Sequence, residues 1–330
     1  MLPSRNKIGI GAPFQCSVVA QHTETANLAQ KCIRFLSSVK VTSTISLLLV
    51  VLIASGCASQ SGTQPRTIVS SLDSVSMGKA MGYSVYTPPG WHAEEQLPLI
   101  ILLHGAGGDH LDFDKYQVGT ALDNMYATNN LPRAIIVNPD GELGFWENWH
   151  DGSRNYRDWV VRELMPSIHE QFNTLSCPRN CHVIGMSMGG HGAIRFAYFE
   201  KEIFDSVSAI SALILSKEEA IERFDGLWGL FIPHKRIWGD IENDADYPED
   251  LDPYVGWIQN SDLRSKSLYI AWGSLDHSDI IRSNQRFSEA LTRSGLKYKK
   301  NVYEGRHRWL DWKHVIADAI RFQLSQPVLE

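Results

Sequence analysis

Short runs that are apolar throughout constrain this chain most. Three of them are PLIILLHG (98–105), AIIVNPDG (134–141) and CHVIGMS (181–187). A strand with one face in water alternates apolar and polar residues, whereas a short, continuously apolar run between turns is typical of a strand buried on both faces. These runs therefore predict a central, mostly parallel sheet that is covered on both sides.

Helical patterns alternate with the strands, which indicates the α/β class. An antiparallel start is expected at 67–87, and later strands are expected at 206–211, 267–273 and 296–305. Helices are expected at 154–172, 188–200, 279–294 and 311–324. In a sheet of this kind the working residues lie at the carboxyl ends of the strands, so the residues that directly follow each strand are the ones to inspect.

The first 66 residues differ in composition from the remainder. Residues 41–56, VTSTISLLLVVLIASG, form an apolar run after several basic residues, as in a signal peptide, and the run is shorter than the about 20 residues of a transmembrane helix. Its end resembles a bacterial lipoprotein signal with Cys57 as the lipidated residue, and Ala58 after it resembles an outer-membrane address. An ordinary signal peptide cut nearby, or an uncleaved anchor, is the alternative.

We therefore expect a leader at 1–56, a polar tether at 57–66 and a single α/β domain at 67–330. The expected location is the bacterial cell envelope, as an outer-membrane lipoprotein that faces the periplasm or the exterior. The whole chain has a formal net charge of −6, and the leader holds five Lys/Arg and one Glu, so the remainder carries −10. Nucleic-acid binding relies on Lys and Arg at phosphates, which makes an acidic domain a poor candidate for it.

Two of the five cysteines, Cys177 and Cys181, lie in the expected domain. Cysteines four residues apart around a Pro-Arg-Asn turn favour a disulfide in an oxidising compartment, with free thiols as the alternative. A CxxxC without a second Cys/His pair at zinc spacing is a weak metal signal, so we expect no metal.

The segment VIGMSMGGHGAIRFA (183–197) places the pattern G-x-S-x-G between a buried strand and a helix. This context is that of a nucleophile elbow, in which glycines permit a tight turn that exposes the serine hydroxyl and the helix start favours negative charge. Ser187 is therefore the predicted nucleophile. Two backbone N–H groups should hold the oxyanion, that of Met188 and that of Ala106 in the HGAGG loop, with Gly107 as the second choice for the latter.

A serine hydroxyl needs a histidine base and a carboxylate that orients the histidine, and in this arrangement the chain order is Ser, Asp or Glu, His. His307 follows the last predicted strand and fits the base best. Four other histidines follow Ser187 and fit less well: His191, His234, His277 and His314. Asp276 directly follows the strand SLYIAWG and is the predicted acid, whereas Asp279 is expected to cap the next helix.

Residues 224–258 combine Trp228, Trp238 and Trp257 with many acidic residues. The segment, which we call the insertion, is too aromatic for a disordered linker. We expect it to cap the edge of the sheet and to help shape a pocket, and surface packing between two core elements is the alternative.

With these residues identified, the chain resembles the esterase D family of α/β-hydrolases, which includes S-formylglutathione hydrolases, feruloyl esterases and mycobacterial mycolyltransferases. The resemblance lies in YSVYTPPGW, LLHGAGG, IGMSMGGHGAIRFA, WGSLDHSD and EGRHRWLDW. It implies the α/β-hydrolase fold and the same five site residues, which are Ser187, Asp276, His307, Met188 and Ala106. The chain departs from many relatives at Gly185-Met186 and at Arg306, and neither departure removes the chemistry.

The predicted function is ester hydrolysis through an acyl-enzyme, without metal or cofactor. The substrate is expected to be a small acyl ester, an acylated glycan or a siderophore ester. One alternative is acyl transfer of the mycolyltransferase type, which product analysis with an acceptor sugar would reveal. The other is a non-catalytic surface binding lipoprotein on a hydrolase scaffold, which a fluorophosphonate probe would fail to label.

Overall fold

The computed structural model describes residues 67–128, 131–247 and 251–325. The predicted leader, Cys57 and the tether therefore lie outside the described residues. Eight described strands form one sheet in the order β1-β2-β4-β3-β5-β6-β7-β8. Their bounds are β1 Thr67–Ser74, β2 Lys79–Tyr86, β3 Leu99–Leu103, β4 Ile135–Pro139, β5 Cys181–Met186, β6 Ser206–Ile210, β7 Ser267–Gly273 and β8 Lys299–Tyr303.

The helices connect the strands and flank the sheet. In chain order they are α1 Asp112–Lys115, α2 Val118–Ala127, α3 Tyr156–Asp158, a π-helical stretch Trp159–Leu164, α4 Met165–Phe172, α5 Met188–Phe199, α6 Lys217–Asp225, a 3₁₀ turn Leu227–Leu230, α7 His234–Trp238, α8 Pro253–Gln259, a 3₁₀ turn Ser261–Ser265, α9 Ser278–Arg293 and α10 Trp309–Leu324. In the part of the chain that the structure describes, no helix combines the length and the apolar character needed to cross a bilayer.

The sheet is mostly parallel, as the apolar runs predict. β1 pairs antiparallel with β2 and β2 pairs antiparallel with β4, while every pairing from β4 through β3, β5, β6 and β7 to β8 is parallel. The carboxyl ends of the parallel strands therefore meet along one edge, where the loops after β3, β5, β7 and β8 come together. The predicted strand at 296–305 is shorter in the structure, and the helix expected at 154–172 begins at Tyr156.

The strand β3 shows why its sequence is apolar throughout. Leu99, Ile101 and Leu103 face one core cluster with α4 and α5. The intervening Ile100 and Leu102 face a second cluster with α2 and α10. Successive strand residues point to opposite faces, and both faces are covered. Full burial of each such side chain stabilises the fold by about 1.5–3 kcal/mol before entropy is counted.

The insertion is an ordered helical layer that packs on the first of these clusters. Trp238, Tyr247 and Trp257 are buried, and the Trp257 indole N–H donates a hydrogen bond to the Ile194 carbonyl in α5. The 3₁₀ turn behind α6 points the other way, since Leu230 is 79% and Phe231 75% exposed. The insertion thus contributes aromatic residues both to the core and to the surface.

Candidate active site

Ser187 occupies the turn between β5 and α5 with φ 55° and ψ −116°, a strained conformation for a residue with a side chain. The surrounding glycines are required by close backbone approach. A Cβ on Gly185 would lie 1.9 Å from the Gly189 carbonyl oxygen, and a Cβ on Gly189 would lie 2.0 Å from the carbonyl oxygen of Leu103. The elbow therefore packs against β3 with no room for side chains, which leaves the serine as the group it presents.

Ser187, His307 and Asp276 form one chain of hydrogen bonds. The Nδ1 atom of His307 lies 2.8 Å from Oδ1 of Asp276, and Nε2 of His307 lies 2.8 Å from Oγ of Ser187. A carboxylate can only accept, so Nδ1–H donates to Asp276 and Nε2 is left to accept the serine proton. The Asp276 side chain is fully buried, and it also accepts a hydrogen bond from the backbone N–H of His277 at 2.7 Å.

The structure places the remaining histidines and Asp279 in other surroundings. The ring of His277 lies 5.1 Å from that of His307, His234 stacks on Phe224, and His314 lies within α10. His191 is buried one helical turn after Ser187, with its Nε2 3.6 Å from Glu147. Asp279 pairs with Arg223 at 2.9 Å, so it is held in an ion pair.

The loop after β3 lies directly beside the nucleophile. A Cβ on Gly105 would stand 3.2 Å from the Cβ of Ser187, the next residue Ala106 is exposed, and Gly107 has φ 76°. On the other side, Met188 begins α5, and the first backbone N–H groups of a helix have no acceptor within the helix. Donors from these two elements can therefore approach one oxyanion beside Ser187.

His104 braces this loop, a role that the sequence did not indicate. Its Nδ1–H donates to the Gly105 carbonyl at 2.8 Å, and its Nε2 accepts from the Gly141 N–H at 2.9 Å. The Trp146 indole N–H donates to the His104 carbonyl at 3.2 Å. The sequence signal was only a histidine at a strand end, and its partners come from the distant loop after β4.

An open cleft of about 490 Å³ leads to Ser187. Its walls are the loop after β3 on one side and the start of α10 on the other, including Leu310. Tyr116 and Trp309 stack there with ring centroids 5.3 Å apart, and burial raises the pKa of the nearby Asp112 carboxyl. No residue from the described parts of the insertion lines this cleft.

The insertion instead borders the other side of the nucleophile, where a buried ion cluster ties it to α5. The Arg195 guanidinium pairs with Glu147 and also donates to the Leu251 carbonyl. Burial opposes the charge of Glu147, but the attraction of Arg195, together with His191, outweighs it and lowers the pKa of Glu147 to about 2. The cluster therefore keeps its charges and fixes α5 against the insertion.

A disulfide joins Cys177 and Cys181 immediately before β5. The Nε2 atom of His169 lies 3.6 Å from the Cys177 sulfur and 3.9 Å from the Cys181 sulfur. The three residues lie at the end of β5 opposite to Ser187, so they belong to the support of the strand.

Comparison with known proteins gives consistent matches over the described domain. The family model "Esterase: Putative esterase" matches residues 74–322. An acetyl esterase of Caldicellulosiruptor saccharolyticus is 23% identical over 230 residues, which cover 69% of this chain and 84% of that protein. An S-formylglutathione hydrolase of Arabidopsis thaliana is 27% identical over 160 residues, or 42% of this chain and 54% of the relative.

Among solved structures, the fluorophosphonate-binding serine hydrolase FphF of Staphylococcus aureus superposes with a TM-score of 0.66 at 21% identity. The superposition covers 79% of this chain and 98% of FphF. At this identity the similarity shows the shared fold, with its mostly parallel eight-stranded sheet.

Proposed function

Since the chain belongs to the esterase family and is a carboxylic-ester hydrolase, we propose that Ser187, His307 and Asp276 form its catalytic triad. The observation that carries the proposal is the pair of 2.8 Å contacts that joins the three side chains in series. This is the geometry in which a histidine can take the serine proton while a buried carboxylate holds the ring in the required tautomer.

In the proposed reaction, Nε2 of His307 removes the Ser187 proton as Oγ attacks the acyl carbonyl. The oxyanion is held by the backbone N–H groups of Met188 and Ala106, with Gly107 as the second choice. His307 then donates the proton to the leaving alcohol, and Asp276 stabilises the imidazolium during both transfers. Water, activated by the same histidine, releases the acyl group from Ser187.

The position of His307 assigns the two halves of the substrate. Its Nε2 must reach the leaving oxygen, so the alcohol belongs in the cleft that His307 and the start of α10 line. The acyl group then points to the opposite side, where packed apolar residues leave only about 10 Å³ of free space. A short acyl group and a larger alcohol fit this arrangement, and the similarity to an acetyl esterase supports it. Acylated glycans and siderophore esters are members of this class.

The proposal is tested by Ser187→Ala with p-nitrophenyl acetate as substrate and a fluorophosphonate probe as label. The variant should lose hydrolysis and labelling together. The matched control is Ser71→Ala, which changes an exposed serine on the edge strand β1 and should leave both unchanged. Activity of Ser187→Ala within a few-fold of the parent would exclude Ser187 as the nucleophile.

We also propose that Cys57 is lipidated and holds the enzyme in the cell envelope, at the outer membrane. The support is the sequence pattern of the leader, an apolar run that ends in small residues followed by cysteine. Globomycin or Cys57→Ala should block processing and slow the protein on a denaturing gel, with Cys177→Ala as the control. Unchanged mobility in both treatments would contradict lipidation.

A further inference from the structure

An apolar cavity beside Ser187 packs on the face of the sheet away from the cleft. Its walls include Phe145, His191, Leu213, Trp238, Phe224 and Ile241. The backbone N–H groups of His191 and Leu213 donate to the Ser187 carbonyl at 3.1 and 3.4 Å, so the wall begins at the nucleophile itself. This cavity, which we call the acyl cavity, is the place that the proposed function leaves for the acyl group.

A second pocket of about 190 Å³ lies on the outer side of the insertion. Its walls include His234, Lys235 and Asp240, and it shares Phe224 and Ile241 with the acyl cavity. The outer pocket and the acyl cavity are therefore neighbours, and these two side chains form the partition between them.

Phe224 is held firmly in that partition. Its ring stacks on His234 at 5.4 Å between centroids, lies 5.1 Å from the ring of Trp238, and meets Phe145 edge to face at 6.3 Å. Only 5% of the residue is exposed. A side chain packed on several sides by aromatic rings keeps one position, so the partition is closed in the resting enzyme.

We propose that Phe224 sets the length of the acyl chain that the enzyme accepts. This inference rests on the proposed function. The about 10 Å³ of free space in the acyl cavity is no more than the room for one water, so an acetyl group can use the mouth of the cavity but a long chain meets Phe224. Without the ring, the acyl cavity joins the outer pocket, and an extended chain gains an apolar path from Ser187 to the surface.

The test is the chain-length profile of Phe224→Ala on p-nitrophenyl acetate, butanoate and octanoate. Each methylene that becomes buried should improve kcat/KM by roughly fourfold, so the octanoate-to-acetate ratio should rise at least about tenfold. The matched control is Phe231→Ala, an exposed phenylalanine of the same segment that lines neither the acyl cavity nor the outer pocket, and its ratio should not change.

Loss of a buried aromatic ring can unfold a protein, so Phe224→Leu and Ile241→Ala are measured alongside, with folding checked by circular dichroism. Each should raise the ratio by a smaller factor. Ratios within about twofold of the parent in every folded variant at these two positions would overturn the inference. Acetate hydrolysis and fluorophosphonate labelling of the parent test the proposed function separately, so a failure of that function is recognised independently of the chain-length profile.

Discussion

The two sides of Ser187 differ in how much they leave open. The cleft on the α10 side has about 490 Å³ of room and includes exposed residues such as Leu310, which is 55% exposed. The acyl cavity on the insertion side is filled with aromatic rings and is backed by the Glu147–Arg195 ion pair. The difference teaches that one nucleophile can face a permissive alcohol site and a restrictive acyl site, because different chain segments build the two walls.

Asp276→Asn should give the largest effect, since the comparison has meaning only if the triad between the two sides is functional. An amide in place of the carboxylate favours the wrong histidine tautomer, and kcat should fall by about 10⁴-fold. Steady-state kinetics on p-nitrophenyl acetate measure it. Asp279→Asn, three residues further on and paired with Arg223, is the control and should stay within a few-fold of the parent. Equal losses in both variants would argue against the assignment of the acid.

Glu147→Gln should loosen the packed side alone. Removal of one partner from a buried ion pair leaves Arg195 uncompensated, and the free energy of unfolding should drop by about 3–5 kcal/mol. Urea denaturation at neutral pH measures the loss. The exposed Glu94→Gln is the control and should change stability by less than about 0.5 kcal/mol. A stability of Glu147→Gln equal to that of the parent would show that the cluster does not hold the insertion against α5.

The stability of the parent protein should also depend on acid through Glu147. Its pKa is about 2 in the folded state and 4.5 in the ordinary state, so the folded protein holds this proton less tightly than the unfolded chain does. The stabilisation is therefore present above about pH 4.5 and is lost as the pH falls toward 2, by about 3 kcal/mol in total. Urea midpoints between pH 6 and 3 should fall more steeply in the parent than in Glu147→Gln, and parallel curves would contradict this origin.

Leu310→Ala should give the smallest effect and should sharpen the contrast. The side chain lines the cleft but is more than half exposed, so its loss should raise KM for esters of large aromatic alcohols by about two- to fivefold. The preference between acetyl and octanoyl groups should stay the same. A change in acyl preference in Leu310→Ala would mean that the acyl group lies in the cleft, and the assignment of the two sides would then be reversed.

Much of the fold could be predicted from local patterns, because a continuously apolar strand has few places to go other than the middle of a covered sheet. The strand and helix around Ser187, and the strand ends before Asp276 and His307, are of this kind. The insertion could not be predicted in this way. Its aromatic residues indicate burial, but whether a tryptophan faces a cleft or a core depends on partners such as Phe145 that lie far away in the chain.

The sequence by itself determined the class of sheet, the nucleophile elbow and the order Ser187, Asp276, His307, because periodicity and turn chemistry act over a few residues at a time. Only the tertiary structure decided that these three side chains lie within 2.8 Å of one another in series, that His104 braces the loop after β3, and that Phe224 separates the acyl cavity from the outer pocket. Those contacts join residues 37 to 120 positions apart, and such distances are set by how the whole core packs.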